Sequence, residues 1–394
     1  MLKVVVGHSE DPDSQYAVDE VLEQCFQDLM GMAPTAGILF AAIDFDHAMI
    51  LEEILRVYPE IELIGCTTDG EMSSKLGFCQ DSLTLMLFCS DTIKIHAGVG
   101  IGASKNPDNA ASQAVQQVTA KSTHTLKGCG YTTKLCIALP ASYIGDGATA
   151  NGEMLLKGLG NALGSEVPII GGAAGDQSRA KITYQFYGSK VLTDSLSILT
   201  FGGDVVFSFG AACGWRPLGR KSIITKACGN RLYEIDGIAA VEFYQRYLSG
   251  RLPSAENSLA VYEGDSERYY IRVPNSLEND GSIRLLADIP EQATVQLTGT
   301  SRDEIITSSL TSFQTAVQNY PGNKIDAVLL FSCCCRRWLL GTRAKEEYEI
   351  IKNALPYSVP VCGFYTYGEL APLQQRGASY YHQETFVTLL IGTN

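Results

Sequence analysis

One pattern of apolar runs and glycine-rich turns occurs three times along this chain of 394 residues. Each copy contains a strand, a helix, a second strand, a glycine-rich acidic turn and a last strand. A short apolar run between turn residues is typical of a strand buried on both faces, and a helix between two such strands predicts a parallel crossover. Because the strands after each turn follow at short distance, they must be antiparallel. The sequence therefore predicts an α/β fold with mixed sheets, built from repeated strand–helix–strand–turn–strand units with helices packed outside the sheets.

The repeat pattern is interrupted near Gly214, and this position divides the chain into two predicted domains. Residues 1–213 hold two repeats, whereas residues 214–394 hold other strands and then the third repeat at 326–391. A chain of this length is typical of two or three domains. In the second part, Asp236 is predicted to cap a helix over residues 237–248. The sequence Ser301-x-x-Glu304 predicts a capping box at the start of another helix.

Charge and composition exclude several classes of protein. The net charge of −13 and the pI near 4.9 disfavour contact with a phosphate backbone, so no nucleic-acid partner is expected. No run of eighteen apolar residues and no signal-peptide pattern occurs, so membrane insertion is not expected. Most of the twelve cysteines lie in apolar runs, where a free thiol behaves as a small hydrophobic group. These features predict a protein of the reducing cytoplasm.

The three glycine-rich turns are the first candidates for a ligand site. They follow buried strands, and ligands of open α/β sheets bind beyond strand ends. Glycine there permits positive φ or close backbone approach. The alternative is that the turns serve folding alone. The candidate ligand residues of the turns are Gly65, Cys66, Thr67, Gly70 and Glu71 in the first copy, Gly171, Gly172, Gly175 and Asp176 in the second, and Gly363, Tyr365, Tyr367, Gly368 and Glu369 in the third.

The acidic residues Glu71, Asp176 and Glu369 are interpreted as holding one repeated position. Three such carboxylates are suited to an ammonium group, as an amino-acid sensor needs, or else to hydrogen bonds within their own turns. Tyr365 and Tyr367 flank one residue, so strand alternation predicts that they point to the same side. There they would form either a ligand pocket or a packed interface.

A run of three cysteines and two arginines, residues 333–337, follows the next predicted strand. Arg336 is a candidate for binding a carboxylate or phosphate. The arginines could also lower the pKa of a neighbouring thiol. No Cys-x-x-Cys pair occurs, and three adjacent cysteines suit neither a disulfide framework nor a zinc site by spacing. Because the chain lacks the usual catalytic motifs, it is not expected to be an enzyme.

Several strings together resemble the FIST family, a sensory module with an N-terminal and a C-terminal part. The resemblance covers nearly the whole chain, and it depends on the order and number of the strings. They are the turns at residues 64–71 and 171–176, the junction at 214–219, residues 232–237, the segment 331–341 with Phe331, Cys333, Arg336 and Gly341, the turn at 363–369, and His382 to Val387.

The resemblance implies a sensor in signal transduction that binds a small ligand and signals to a separate protein. The implied partner is a histidine kinase of a two-component system or a cyclic-di-nucleotide enzyme. A subset of the family is similar to haem-binding nitric-oxide sensors. Haem and nitric oxide are therefore one expectation for this chain, and an amino-acid sensor without haem is the alternative. A third possibility is a thiol-dependent hydrolase that uses Cys333, Cys334 or Cys335.

A haem would need a histidine as its iron ligand, within an apolar slot. His96 lies on an alternating strand, and His382 lies near the third glycine-rich turn, so these two are the candidate iron ligands. The alternative for each is a structural histidine with ordinary hydrogen bonds. The sequence does not decide between these interpretations.

Overall fold

In the computed structural model the described residues are 2–125, 132–264, 266–375 and 377–393. They form a mixed α/β fold in which helices cover several mixed sheets, so the predicted fold class is confirmed. No helix in these ranges combines the length and the apolar character needed to cross a bilayer.

The first unit begins at the N-terminus. Its first helix is capped by Asp13, whose side chain accepts hydrogen bonds from two backbone N–H groups, and it ends at Met30 in a left-handed conformation. The elements of this unit are β1 (Leu2–Ser9), α1 (Ser14–Leu29), β2 (Ala36–Ala41), α2 (His47–Val57), β3 (Glu62–Thr67), β4 (Glu71–Ser73), β5 (Gly77–Cys79) and β6 (Leu83–Ser90).

The second unit repeats this order and adds a small hairpin after its second long strand. Its elements are β7 (Ile93–Ile101), α3 (Pro107–Thr125), β8 (Thr133–Pro140), β9 (Tyr143–Gly145), β10 (Ala148–Thr149), α4 (Gly152–Leu163), β11 (Ile169–Gly172), β12 (Gln185–Tyr187), β13 (Lys190–Leu192) and β14 (Ser195–Gly203).

The third unit starts with β15 (Val205–Ala212) and is then interrupted by a separate inserted sheet. In sequence order, the inserted elements are β16 (Arg216–Cys228), β17 (Arg231–Ile235), β18 (Ile238–Ala239), α5 (Ala240–Tyr247), β19 (Leu259–Tyr262), β20 (Tyr269–Arg272), β21 (Pro274–Leu277), β22 (Ile283–Leu285) and β23 (Thr294–Gly299).

The third unit resumes after the insertion. Ser301 caps its first helix by accepting a hydrogen bond from the backbone N–H of Glu304 and donating one to the Glu304 carboxylate. The elements are α6 (Arg302–Gln318), β24 (Ala327–Cys333), α7 (Cys334–Leu340), α8 (Lys345–Ala354), β25 (Val361–Thr366), β26 (Glu369–Pro372), β27 (Ser379–His382) and β28 (Phe386–Thr393).

Each unit lends a two-stranded arm to a neighbouring unit. The arm β4–β5 of the first unit extends the sheet of the third, β26–β27 of the third extends the sheet of the second, and β12–β13 of the second extends the sheet of the first. Within each sheet, the two strands on either side of the crossover helix pair in parallel, as predicted. The exchange is cyclic, so the three units form one body.

The inner faces of the three sheets share one apolar core, to which Phe40, Phe201 and Phe331 each contribute a buried ring. The helices pack on the outer faces, where each unit has its own apolar cluster. Burial on both faces explains why the strands are continuous apolar runs. The prediction of helices outside the sheets is therefore confirmed.

Two sequence predictions need correction. The third unit begins at β15, because this strand pairs with β28 along its whole length, so the repeat is not confined to residues 326–391. The predicted division at 213/214 falls just after this strand. Asp236 does not cap a helix: it has a φ of 51° in a turn, accepts a hydrogen bond from the N–H of Ile223, and α5 begins after Ala239.

Candidate functional site

The three glycine-rich turns meet at one place in the molecule. We call residues 67–70, 173–175 and 365–368 the turn ring. The N–H of Thr67 donates to the carbonyl of Tyr184 at 3.0 Å, that of Ala173 to Gly368 at 2.8 Å, and that of Tyr365 to Gly70 at 2.8 Å. Three further backbone bonds run from Asp69 to Tyr365, from Gly175 to Thr67 and from Tyr367 to Ala173, at 2.9–3.0 Å. The three turns are thus joined to one another by backbone hydrogen bonds. The ring is packed and largely buried, however, and it does not form an open cleft.

The first glycine of each turn serves close strand packing. A Cβ on Gly65, Gly171 or Gly363 would lie 2.2, 2.0 or 2.2 Å from a backbone carbonyl oxygen of the neighbouring parallel strand. These three positions are equivalent in register, since each pairs with the residue whose carbonyl it approaches. Their role is in folding, which was the alternative interpretation of the turns.

At the other predicted glycines of the three turns, a side chain would also make close contacts or require a positive φ. Gly70 has a φ of 117°, a region that favours glycine. A Cβ on Gly172 would meet the Thr366 side chain at 2.4 Å, one on Gly175 the backbone of Asp69 at 2.8 Å, and one on Gly368 the ring of Tyr381 at 2.2 Å. None of these predicted ligand residues leaves space for a ligand at its Cα.

Cys66 and Thr67 are likewise part of the interior. Cys66 belongs to the shared core, and burial raises the pKa of its thiol. The Thr67 hydroxyl accepts a hydrogen bond from the N–H of Tyr184, in the segment leading to β12. Both residues therefore hold the first unit against the arm of the second.

In the second unit, Asp176 does not hold the position that Glu71 and Glu369 share, contrary to the prediction. Glu71 pairs with Phe364, Glu369 pairs with Gly172, and Gln185 pairs with Cys66, in each case one residue past the close-packed glycine of the neighbouring sheet. Gln185 therefore holds the place assigned to Asp176. The second unit has fourteen positions from Gly171 to Gln185, whereas the first has six from Gly65 to Glu71, and this longer loop displaces the acidic residue.

At this shared position each side chain ties the turn to the start of the last strand of its own unit. Ser82 donates to Glu71 at 2.5 Å, Ser195 donates to Gln185 at 3.0 Å, and the N–H of Thr385 donates to Glu369 at 3.1 Å. Glu71 and Glu369 also accept hydrogen bonds from the hydroxyls of Thr68 and Thr366. Of the two interpretations of these carboxyls, the geometry corresponds to bonds within their own turns.

Burial makes Glu71 a titrating group near neutral pH. It raises the pKa of this carboxyl to about 7, against the lowering effect of hydrogen bonds from Ser82 and Thr68. On the other side of Ser82, His8 bonds to the hydroxyls of Ser73 and Ser82 at 2.6 and 2.9 Å, and burial lowers its pKa to about 4. At pH 7 the network therefore contains a neutral imidazole and a partly protonated carboxyl.

Glu71→Gln is expected to remove one pH-dependent loss of stability. The folded-state pKa of Glu71 lies above its ordinary value of 4.5, so this carboxyl lowers the unfolding free energy as pH rises from about 4.5 through about 7. We expect the variant to match the native chain at pH 5 and to exceed it by about 2 kcal/mol at pH 8. Urea unfolding of both proteins at the two pH values measures this difference. His8 makes stability change with pH in the opposite direction, but it is present in both proteins, so its contribution cancels when they are compared.

The reciprocal change, Gln185→Glu, is the control. It places a carboxyl at the equivalent buried position of the second unit, so it should introduce a loss of stability above pH 5 that the native chain lacks at this position. An effect of Glu71→Gln that is the same at pH 5 and pH 8 would contradict the assignment.

Tyr365 and Tyr367 have different surroundings, contrary to the prediction that they share a side. The buried hydroxyl of Tyr365 donates to Glu347 at 2.6 Å, on the outer face of its sheet. The half-buried Tyr367 donates to Asp176 at 2.5 Å. Asp176 also accepts the backbone N–H groups of residues 180–182, so its carboxylate organises the long loop of the second unit.

Arg336 is fully buried and bound by the protein itself, although it was a candidate ligand residue. Its guanidinium pairs with Glu347 at 2.6 Å and donates to carbonyls and serine hydroxyls on three sides. The next residue, Arg337, reaches the turn ring, where it pairs with Asp69 at 2.7 Å and donates to Ser178. The guanidinium that reaches the turns is therefore that of Arg337, which was not among the predicted ligand residues.

The sulfur atoms of Cys333, Cys334 and Cys335 lie within 4.8 Å of one another. The three side chains are buried and pack against Tyr367. Their thiols share hydrogen bonds, which lower the pKa of Cys335 and raise that of Cys334. The spacing argument against a metal site at this run does not hold, because the start of α7 folds three consecutive side chains into one group.

The two candidate haem ligands differ in their environments. His96 lies on β7 with Nδ1 3.7 Å from the carboxylate of Glu62, which also binds Lys121, so its surroundings are charged rather than apolar. His382 is buried, its Nε2 bonds to the carbonyl of Ala371 at 2.9 Å, and burial lowers its pKa to about 4. The neutral ring of His382 lines a cleft, which His96 does not.

A cleft of about 360 Å³ lies where the inserted sheet meets the three-unit body, and we call it the junction cleft. Its walls come from the end of β15 and the start of β16, from β20, and from α6. A larger hollow of about 560 Å³ on the surface of α3 and α4 is lined by six residues without a charged, histidine or tyrosine side chain. The lining of the junction cleft includes Cys213, Trp215, Arg216, Arg268, Tyr269, Tyr270, Ser308, Thr311, His382 and Thr385.

Beside the junction cleft, several buried polar atoms lack partners. His382 and Thr385 line the cleft, and between them Gln383 and Glu384 are buried. Within the described ranges, the two carboxyl oxygens of Glu384 and the Nε2 atom of Gln383 make no hydrogen bond of standard geometry. Ser258 lies beside the carboxyl of Glu384. Buried polar groups are nearly always satisfied, so these atoms indicate that a ligand or water belongs there.

Comparison with protein families assigns both parts of the chain. The FIST N domain matches residues 35–238, and the FIST C domain matches residues 240–372. The boundary between the two matches falls in the inserted sheet, just before α5, so the junction cleft receives side chains from both matched regions.

Individual proteins that match this chain have low sequence identity to it and match only part of it. An uncharacterised protein of Methanocaldococcus jannaschii is 27% identical over 194 residues, and one of Aquifex aeolicus is 29% identical over 103 residues. The matches cover 48% and 25% of this chain but only 35% and 38% of the two relatives. Among solved structures, a cyanuric acid hydrolase of A. caulinodans has a TM-score of 0.41 at 8% identity over the whole of both chains, and PurLQS of Thermotoga maritima has 0.24 at 10% identity over this whole chain and 72% of that one. Similarities of this size carry no argument about function.

Proposed function

The chain belongs to the FIST family, and from this premise we propose that it is a sensor that binds a small ligand in the junction cleft. FIST domains are sensory domains that bind ligands. The observation that carries the proposal is the cleft between the inserted sheet and the three-unit body, beside which the carboxyl of Glu384 is buried without a hydrogen bond of standard geometry from the described residues.

The cleft favours a ligand of about the size of an amino acid. Its volume of about 360 Å³ lies near the lower end of the range for small-molecule sites. Its lining includes the aromatic residues Trp215, Tyr269 and Tyr270. It also includes the charged residues Arg216, Glu267 and Arg268, each of which has an ion-pair partner outside the lining. A small zwitterion with an apolar side chain is complementary to such a mixed surface, and this supports an amino-acid sensor.

The segment at the edge of the cleft also connects the inserted sheet with the body. Tyr380, in β27, donates to Glu263 at 2.5 Å, and the side chain of Gln383 accepts the N–H of Val273 at 2.8 Å. Arg272 pairs with Glu153 in α4. Because a ligand at His382 would touch this connection, we propose that binding shifts the inserted sheet against the body, and that a separate histidine kinase or cyclic-di-nucleotide enzyme recognises the difference.

Tryptophan fluorescence can test ligand binding directly. The chain has two tryptophans, of which Trp215 lines the cleft and Trp338 lies exposed elsewhere. In a Trp338→Phe background, Trp215 is the only reporter. Titration with the twenty amino acids should give a saturable change with at least one of them, and a ligand at a hundred times its Kd should add about 2.7 kcal/mol of stability. No response from any of them would contradict the amino-acid proposal.

Thr311→Phe is expected to weaken ligand binding by at least about tenfold, which corresponds to about 1.4 kcal/mol. Thr311 is an exposed residue of α6 at the wall of the cleft, so a phenyl ring there would occupy the space of the ligand. Thr307→Phe is the matched control: Thr307 is exposed one turn earlier on the same helix and does not line the cleft. Equal affinities of the two variants would place the ligand elsewhere.

Haem is the second candidate ligand, and the position of His382 supports it, although a haem would require the cleft of about 360 Å³ to widen. A neutral imidazole with one nitrogen held by a backbone carbonyl is the arrangement of many metal-ligating histidines. His382 would hold the haem iron, and the haem would bind nitric oxide. Reconstituted protein should show a Soret band that His382→Ala removes and His96→Ala retains. A chain without a Soret band would reject this candidate.

A thiol-dependent hydrolase remains the rival class. It would need a general base beside one of the three cysteines and access for a substrate. The described histidines bond elsewhere: His8 to serines, His47 and His382 to carbonyls, and His96 lies beside Glu62. Labelling with iodoacetamide at neutral pH tests this class, because a catalytic thiolate would react within minutes and a buried thiol would not.

A further inference from the structure

The geometry points to a second site, separate from the junction cleft: we propose that Cys333, Cys334 and Cys335 bind one Cu(I) ion through their three sulfur atoms. The sulfurs lie within 4.8 Å of one another, which is close enough for a single ion to contact all of them after small side-chain adjustments. This site goes beyond the proposed ligand sensing and does not depend on it.

The position of the three cysteines in the fold explains why their side chains converge. Cys333 is the last residue of β24, and Cys334 and Cys335 are the first residues of α7. The change from an extended to a helical backbone turns successive side chains toward one point, which neither a continuous strand nor a continuous helix would do. Arg336, which follows at once, is fixed by its pair with Glu347 and so anchors the start of α7.

The number of ligands favours Cu(I) over Zn(II). Zinc sites in proteins have four ligands or keep one position open for water. In the described part of the chain, no histidine, aspartate or glutamate joins the three sulfurs in a group of this compactness. The side chains are also nearly inaccessible to water, at 2–5% exposure. Thiolate ligands select soft ions such as Cu(I), and three sulfurs in a dry site suit a three-coordinate ion.

We place the entry of the ion at two tyrosines beside the three cysteines. Tyr367 packs against the three sulfurs, and its ring meets that of Tyr143 edge to face at 5.7 Å. Both rings are only partly buried. Rotation of the Tyr367 side chain would break its hydrogen bonds to Asp176 and Ser178 and its ring contact with Tyr143. The ion would then replace the protons of the thiols it binds, because thiolates are the metal-binding form.

The test supplies Cu(I) to the anaerobic, reduced full-length protein as its bicinchoninate complex. We expect one equivalent of Cu(I) to leave the chelator, and X-ray absorption to show three sulfur neighbours. Cys334→Ser should lower the affinity at least a hundredfold, since loss of even an outer-shell partner costs ten- to a hundredfold. Cys228→Ser, at an exposed cysteine, is the control and should leave the affinity unchanged.

A second measurement uses the native chain, in case the serine variant fails to fold. Mass spectrometry should show that Cu(I) slows the alkylation of residues 333–335 by iodoacetamide in urea near the unfolding midpoint, because an ion that binds the folded state lowers the unfolded population, and that Zn(II) does not. Protection by Zn(II) alone, four-coordinate copper, or retention of full affinity in Cys334→Ser would each overturn the proposal. Thr311→Phe should bind Cu(I) normally, so a failure of the cleft proposal and a failure of this one are distinguishable.

Discussion

Replacing Arg336 with methionine is expected to lower the free energy of unfolding by about 3–5 kcal/mol. The guanidinium and its partner Glu347 are both fully buried, and they lie 2.6 Å apart. Without Arg336, the carboxylate keeps the hydroxyls of Ser309, Ser332 and Tyr365 but loses its only buried cation among the described residues. Urea unfolding, followed by far-UV circular dichroism, measures the loss as a shift of the transition midpoint.

Two further variants decide whether the loss comes from the unpaired charge. Arg343→Met removes an arginine from surface pairs with Asp303 and Glu346, and it should change stability by less than about 0.5 kcal/mol. The double variant Arg336→Met with Glu347→Leu should recover part of the loss, because an apolar pair leaves no buried charge. A loss below 1 kcal/mol in Arg336→Met would show that this pair does not hold α7 and α8 together.

The sequence was informative about Arg336 only in part. Its place after the cysteine run suggested an anion site, because a pair of arginines beyond a strand end is typical of one. Which of two adjacent arginines is buried depends on the course of α7, and its partner Glu347 comes from the next helix. Local spacing cannot supply this information, since it arises from the packing of α6, α7 and α8.

The repeated units were predictable, but their exchange of arms was not. Apolar periodicity identified the strands around each crossover because burial on both faces determines their composition. The arms are short strands of three or four residues, and their partners lie about a hundred residues away or more. The same non-local pairing explains the error at Asp176: the turn can be aligned by its glycines, whereas the position of Gln185 is determined by its register against Cys66.

The candidate functional residues also fall into a part that the sequence could predict and a part that it could not. The turn ring could be predicted as a meeting point because equivalent strand ends converge in related units, and the hydrogen bonds confirm this. The junction cleft could not, because part of its wall comes from β16 and β20 of the inserted sheet, which lies outside the repeated units. His382 is the only predicted ligand residue that lines the cleft among the described residues, and its place near the third glycine-rich turn was the signal that identified it.

Gly171→Ala is expected to lower the free energy of unfolding by about 2–6 kcal/mol. The new Cβ would lie 2.0 Å from the carbonyl oxygen of Ala138, a contact that requires the parallel strands to separate. Overpacking of this kind costs about 1–3 kcal/mol. The φ of 156° at Gly171 adds strain of about 1–3 kcal/mol for any other residue. Thermal and urea unfolding should both show the loss.

Gly160→Ala is the matched control, because Gly160 lies in α4 and a Cβ there would meet no atom within 4 Å. This change should stabilise the chain by about 0.4–1 kcal/mol. Gly65→Ala and Gly363→Ala place their Cβ 2.2 Å from the equivalent carbonyls, but without the positive φ. They should therefore destabilise the chain by about 1–3 kcal/mol, less than Gly171→Ala does. If all three glycines serve folding alone, the alanine variants that fold should bind the ligand with native affinity. A variant that folds but has lost ligand binding would show that the turns belong to the ligand site.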